Sequence, residues 1–249
     1  MSAKGDTERQ AFLRDKMIKS RGRSRRKSRY VSKLLSAIPP NTKLLDVGCG
    51  TAHIIQELAK HCKSTVFVGL DVSPSMLKYA KSNVKGLPNV MLVEADGMML
   101  PFSSAFFDIV TVRLAEYSPK EVYRVLKTGG CFFEYGLGPE ANKEFIEFFN
   151  GRIERASFFF PKNMDAWKEE VTEQVKAAGF VVDLVSDYKE TEYHGSIEEL
   201  ADLAEMIPLV KNFNRKKDMK TIAALAAKHE SREGIKTTWH YFILEARKP

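Results

Sequence analysis

Between residues 43 and 135 the apolar positions follow two alternating rhythms. Continuous apolar runs at Lys43–Val47, Thr65–Leu70, Val90–Glu94, Asp108–Val112 and Cys131–Tyr135 predict strands buried on both faces. The segments between them carry helical spacing. Ile54, Ile55, Leu58 and Ala59 share one side of residues 54–60. Ser73 followed by Pro74 gives an N-cap with proline at the first helical position, opening a helix to about Val84. Ser118-Pro119-Lys120-Glu121 is a capping box that opens a helix ending at Thr128-Gly129-Gly130. Strands and helices that alternate over short loops predict an α/β fold with a doubly wound, mostly parallel sheet.

The flanking regions have a different pattern. Tyr30, Leu34, Leu35 and Ile38 lie at helical spacing in residues 28–38, and Pro39-Pro40 ends that helix. Residues 164–178 place Trp167, Val171 and Val175 at four-residue steps before Gly179. A strand is expected at Phe180–Ser186, running on towards Tyr193, and a last strand at Lys236–Ala246. Ser196-Ile197-Glu198-Glu199, a second capping box, opens two helical stretches broken around Pro208. The organisation expected is a basic N-terminal extension and leading helix at 1–38 and one domain at 39–249. A helical lid insertion is expected at 196–235.

Composition narrows the class. With 249 residues, 44% of them hydrophobic, the chain can bury one good core. No run of eighteen apolar residues exists and the opening MSAKGDTERQ is polar, so neither a membrane span nor a secretory signal is expected. Cys49, Cys62 and Cys131 form no C-x-x-C pair and show no metal-like spacing to the five histidines, which fits a reduced, cytoplasmic protein without a metal site. The net charge of +7 is concentrated: residues 1–40 hold twelve Lys/Arg against three Asp/Glu. Most of that surplus lies in Lys19–Arg29, KSRGRSRRKSR, which reads either as a solvated terminus or as an arm meeting nucleic acid. No aromatic is interleaved before Tyr30, which weakens a base-stacking role.

The chemistry concentrates at Leu44–Ala52, LLDVGCGTA, a strand running through Asp46 into a glycine turn. Gly48 and Gly50 carry no Cβ, so backbone can approach a ligand closely, and the following helix directs its first N–H groups towards the turn. A dinucleotide site would want a third glycine three residues on, where this chain has His53. The chain instead resembles the class I S-adenosylmethionine-dependent methyltransferases. The family's acidic residue followed by G-x-G matches Asp46-Val47-Gly48-Cys49-Gly50. Its acidic end of the second strand matches Asp71 in VGLDVS, and its acidic residue after the third strand matches Asp96 in VEADGMMLPF. Phe107-Asp108-Ile109-Val110 and Leu126-Lys127-Thr128-Gly129-Gly130 match two further motifs in order.

The resemblance implies a Rossmann-like, seven-stranded sheet with its last strand antiparallel, S-adenosyl-L-methionine as cofactor, and no metal. It implies that Asp46 and the turn amides meet the two charges of the methionyl end, and that Asp71 accepts the ribose hydroxyls. Asp96 and the Gly97 amide are then expected at the adenine. Cys49 (read as a small filler in the turn), Val72, Met76, Met98 and Arg113 complete the expected lining. Transfer from a sulfonium leaves a neutral thioether, so positioning the acceptor in line supplies most of the acceleration.

The acceptor is open at this point. After the fourth strand the chain reads Thr111-Val112-Arg113-Leu114-Ala115-Glu116-Tyr117, without the N-P-P-Y-like pattern of amino-group methylation. Arg113, Glu116 and Tyr117 are therefore the nearest polar candidates for catalysis. Glu134 and Tyr135 end the fifth strand on the ligand side, and His194 stands before the helical segment. A small-molecule acceptor is the first reading. An RNA methyltransferase using the basic arm and a cofactor-binding protein without catalysis are the alternatives.

Overall fold

The computed structural model describes residues 6–21, 29–153, 162–207 and 209–249. In chain order the elements are α1 Glu8–Arg21, α2 Arg29–Ala37, β1 Lys43–Val47, α3 His53–His61, β2 Val66–Asp71, α4 Pro74–Asn83, β3 Val90–Glu94, β4 Phe107–Arg113 and α5 Pro119–Val125. They continue with β5 Leu126–Leu137, α6 Lys143–Phe148, α7 Met164–Ala177, β6 Val181–His194, α8 Ile197–Met206, α9 Arg215–His229, β7 Glu230–Ser231 and β8 Gly234–Arg247. The chain divides into two compact units. One comprises Met1–Tyr135, Glu170–Val185 and Ile243–Pro249, and the other Gly136–Glu169 and Ser186–Phe242.

The sheet runs in the order β3-β2-β1-β4-β5-β8-β6, with the two-residue β7 beside β8. In the first unit β1 pairs in parallel with β2 on one side and β4 on the other, so Leu45 stands opposite both Val68 and Val110. Leu44, Leu45, Phe67, Leu70, Val110 and Val112 are buried, as central parallel strands require. The β8 strand is antiparallel to β5. Gly129 N–H donates to the Lys248 carbonyl and Gly138 N–H to that of His240, so residue numbers rise along one strand as they fall along the other. The chain winds outward in opposite directions from β1 and β4, and such a reversal opens a crevice at the strands' carboxyl ends.

Both proline-started helices are capped as the pattern predicts. The Ser73 hydroxyl accepts from Met76 N–H and that of Ser118 from Glu121 N–H. The Glu121 side chain departs from the capping box: it accepts from the Leu100 N–H and pairs with Arg124. The helix after Ser118 is also shorter than its expected end at Gly130. It stops at Val125, because Leu126 already pairs with Phe107 and Gly129 with Lys248 as part of the sheet.

Helix α1 is not announced by the hydrophobic pattern. Thr7 and Gln10 cap it reciprocally: Gln10 N–H donates to the Thr7 hydroxyl and Thr7 N–H to the Gln10 side chain. Ala11 and Leu13 are buried, and α1 packs on α4. The buried Asp15 accepts from Asn83 Nδ2 at 2.7 Å and also pairs with Lys19. Glu8–Arg21, ahead of most of the basic run, thus forms a packed helix. The larger part of the basic run, 22–28, lies outside the described residues.

The second unit has its own core. Phe145 stacks on Phe149, which meets Phe213 edge-on, and Leu200, Leu203, Ile222 and Leu225 are buried between α8 and α9. Arg152–Asp218 and Arg215–Asp202 ion pairs tie this unit together. Its histidines serve packing. His194 is fully buried against the Thr237 hydroxyl, and His240 is bonded to Asp187, which also holds Lys168. Among the described residues no helix is long and apolar enough to cross a membrane.

Leu13→Ala is expected to cost about 2–5 kcal/mol in urea unfolding, the usual range for a fully buried leucine. Unchanged stability would contradict the packed position of α1.

Candidate active site

The carboxyl ends of β1, β2 and β4 bring three sequence-predicted residues into one electrostatic cluster. Asp46, at the end of β1, accepts from the Thr111 hydroxyl of β4 at 2.8 Å. Burial pushes its carboxyl up to about 6; the Thr111 bond and Arg113 act against that rise, and the nearby Asp71 adds to it. Asp71 ends β2, and both of its oxygens are engaged. One accepts from Gly50 N–H at 2.7 Å and the other from Ser73 N–H at 2.9 Å. Burial raises this carboxyl too, against the pull of those two backbone bonds.

The turn between β1 and α3 is built from inside. Gly48 N–H and Cys49 N–H both donate to the Leu70 carbonyl, and Ala52 N–H donates to that of Cys49. Together with the Gly50 N–H on Asp71, these four amides donate within the protein. The two glycines also differ in role. A Cβ on Gly48 (φ +73) would lie 2.1 Å from that of Ala115, so this glycine admits the short loop after β4. A Cβ on Gly50 (φ +55) would meet nothing within 4 Å, so here the backbone faces open space. Leu114, at φ +53, turns the loop over Gly48 in a left-handed conformation that leucine seldom adopts.

Asp96 and Gly97 lie against the same loop. A Cβ on Gly97 would lie 2.4 Å from the Glu116 carbonyl oxygen, and Ser118 N–H donates to the Gly97 carbonyl. Asp96 accepts from Met98 N–H at 2.9 Å, the usual role of an aspartate in a turn. Of the expected apolar lining, Met76 is buried in α4 while Val72 and Met98 are exposed, Met98 by 51%. Cys49 is buried and its thiol pushed well above its ordinary value, as suits a filler. Arg113 makes a 3.4 Å contact with His53 Nε2 at the start of α3. Among the described residues no group of three or more His, Cys, Asp or Glu side chains could hold a metal ion.

The residues present fit a nucleoside cofactor. Open space beside Gly50, lone pairs left on the Asp71 oxygens, and the exposed apolar side chains of Val72 and Met98 offer a cradle, a hydroxyl acceptor and a face for a base.

Of the three catalytic candidates, Glu116 is exposed and meets Gly97 through its backbone. Tyr117 is engaged differently: its hydroxyl donates to Glu134 Oε2 at 2.5 Å, joining the loop after β4 to β5. Glu134 is 6% exposed, and burial pushes its carboxyl up to about 7, with the Tyr117 bond acting the other way. Burial also raises the Tyr117 phenol, as does the Glu134 charge. The sequence placed both residues at the carboxyl ends of neighbouring strands. Their pairing becomes visible only with the β4–β5 register, which sets Val112 opposite Glu134.

Residues 44–130 match the family described as a methyltransferase domain, the same stretch that holds the turn, Asp71 and the loop after β4. That match covers about a third of the chain, and over it the chain is similar to a methyltransferase domain. The demethylmenaquinone methyltransferase of Staphylococcus carnosus is 40% identical over 101 residues, covering 37% of this chain and 42% of that protein. That of Lysinibacillus sphaericus is 38% identical over 102 residues, covering 38% and 44%. The chain thus spans less than half the length of these curated relatives. Two solved structures share the methyltransferase fold more widely. A Bacillus halodurans protein assigned as a methyltransferase has TM-score 0.61 at 22% identity, covering 88% of this chain and 98% of that one. The YcgJ protein of Bacillus subtilis has TM-score 0.60 at 18% identity, covering 88% and 97%.

Glu134 gives the first unit a pH signature. Its folded-state value of about 7 exceeds the ordinary 4.5, so below 4.5 the carboxyl is protonated in both states and burial carries no penalty. As pH rises from 4.5 to about 7 the fold loses stability, on the order of a few kcal/mol, and above about 7 the loss is complete. Glu134→Gln is therefore expected to melt higher than the parent at pH 8.5 and level with it at pH 4.5; a gain independent of pH would contradict the shift.

Proposed function

We propose that this chain is an S-adenosylmethionine-dependent methyltransferase that transfers the methyl group directly to a small-molecule acceptor. The observation that carries the reading is the joining of the β1 turn to the β2 end by Asp71, beside a Gly50 that faces open space. In this reading Asp71 takes the ribose hydroxyls, Val72 and Met98 flank the base, and Asp96 and Gly97 meet the base edge. Asp46, held by Thr111, faces the ammonium of the amino-acid tail.

When bound, the cofactor would supply an electrophilic methyl group on a sulfonium, with a neutral thioether as leaving group. The protein's share is placement and proton management. An acceptor hydroxyl, or a carbon activated by one, must lose a proton as the new bond forms. Glu134 is suited to take it: a carboxyl pushed to about 7 exists in both protonation states near neutrality. Tyr117 donates its hydroxyl to that carboxyl from the loop after β4 and holds it in place. The names of the relatives add support for a small acceptor, since they are said to act on demethylmenaquinone.

The test is transfer of labelled methyl from S-adenosylmethionine, offered separately to hydroxylated quinols, simple phenols and total RNA. Label is expected in the small-molecule fraction, with the rate rising as pH passes through about 7. Label confined to RNA would transfer the reading to the basic segment at Lys19–Arg29. A protein that binds the cofactor and labels nothing would be a binding module.

A further inference from the structure

Helix α1 is fastened to the loops that form the cofactor site. Asn83 Nδ2 donates to both Asp15 of α1 and the Thr51 carbonyl of the glycine turn. The Ser73 hydroxyl, next to the Asp71 end of β2, donates to the Asp6 carbonyl just before α1. Lys78 of α4 pairs with Glu8. These ties bring Arg14 to the electrostatic cluster of Asp71 and Arg113, both of which influence its guanidinium.

Arg14 is poorly satisfied there. Its side chain is 26% exposed and its Asp6 ion pair is long, at 3.8 Å. Its enclosed Nε makes no hydrogen bond. An enclosed guanidinium donor without an acceptor is costly unless a ligand completes it. The complementary need comes from the turn, where the amides of Gly48, Cys49, Gly50 and Ala52 are already spent on Leu70, Asp71 and Cys49. A cofactor with an amino-acid tail brings a carboxylate, and those four N–H groups are committed elsewhere.

We propose that Arg14 of α1 and Arg113 of β4 together hold the carboxylate of the cofactor's amino-acid tail, which makes α1 a working part of the cofactor site. The proposal rests on the reading of the site as one for S-adenosylmethionine. A guanidinium suits the role because its planar fork meets both carboxylate oxygens.

The experiment compares two nucleosides on the full chain by calorimetry. S-adenosylhomocysteine has the amino-acid tail, and 5′-methylthioadenosine has the same nucleoside without it. Arg14→Ala is expected to weaken S-adenosylhomocysteine tenfold or more while leaving methylthioadenosine within twofold. Arg14→Lys, which keeps the charge and folds with least disturbance, is expected to recover part of the loss. Equal weakening of both nucleosides, or no weakening of either, would overturn the proposal, because Arg14 would then be structural or remote. If the parent binds neither nucleoside, the cofactor reading itself fails, an outcome distinct from loss of tail selectivity alone.

Discussion

The buried carboxylate of Asp71 holds two loops at once, and the rest of the site depends on that bridge. It ends β2, accepts the Gly50 N–H from the turn after β1 and the Ser73 N–H at the cap of α4. Hydrogen bonds to a charged acceptor contribute about 1.5–3 kcal/mol each, and losing the acceptor would orphan two backbone donors. The bridge fixes the Gly50 backbone facing open space while Leu70, one residue earlier, draws in the Gly48 and Cys49 amides. The crevice is therefore shaped before any ligand arrives. The preorganisation has a cost, visible in the raised carboxyls of Asp46, Asp71 and Glu134, which are held away from water where charge is disfavoured.

Much of the α/β sheet was legible in the sequence because central parallel strands are buried on both faces and so read as unbroken apolar runs. The runs at Lys43, Thr65, Val90 and Asp108 mark β1 to β4 closely, and that at Cys131 marks the latter part of β5, which begins earlier, at Leu126. Ser73-Pro74 and Ser118-Pro119 were equally readable, since a cap followed by proline has a local cause. Helix α1 was hidden for the opposite reason. Its stability comes from a narrow buried strip, Ala11 and Leu13, and from polar ties through Asp15, so charge dominates its pattern. The Thr7-to-Gln10 capping box was the one local signal that could have revealed it.

The candidate site divides along the same line. Asp46, Gly48, Gly50, Asp71, Asp96 and Gly97 were recognisable as a motif, but the division of labour among them was not. Gly48 and Gly97 make room for the loop after β4, whereas Gly50 faces open space, a distinction that depends on where Ala115 and Glu116 fall in space. The Tyr117–Glu134 pair likewise needs the β4–β5 register. His194, which the sequence sets before the helical segment, and His240 are held by Thr237 and Asp187 within their own unit. A shared cofactor crevice beside chain-specific acceptor chemistry is how one fold serves many reactions.

The most direct measurement is a calorimetric titration of the full chain with S-adenosylmethionine, beside the same titration of Asp71→Ala. The account predicts one saturable site per chain in the parent and a loss of at least tenfold in affinity in the variant. Absence of binding at millimolar cofactor, or equal affinity in the two proteins, would contradict it.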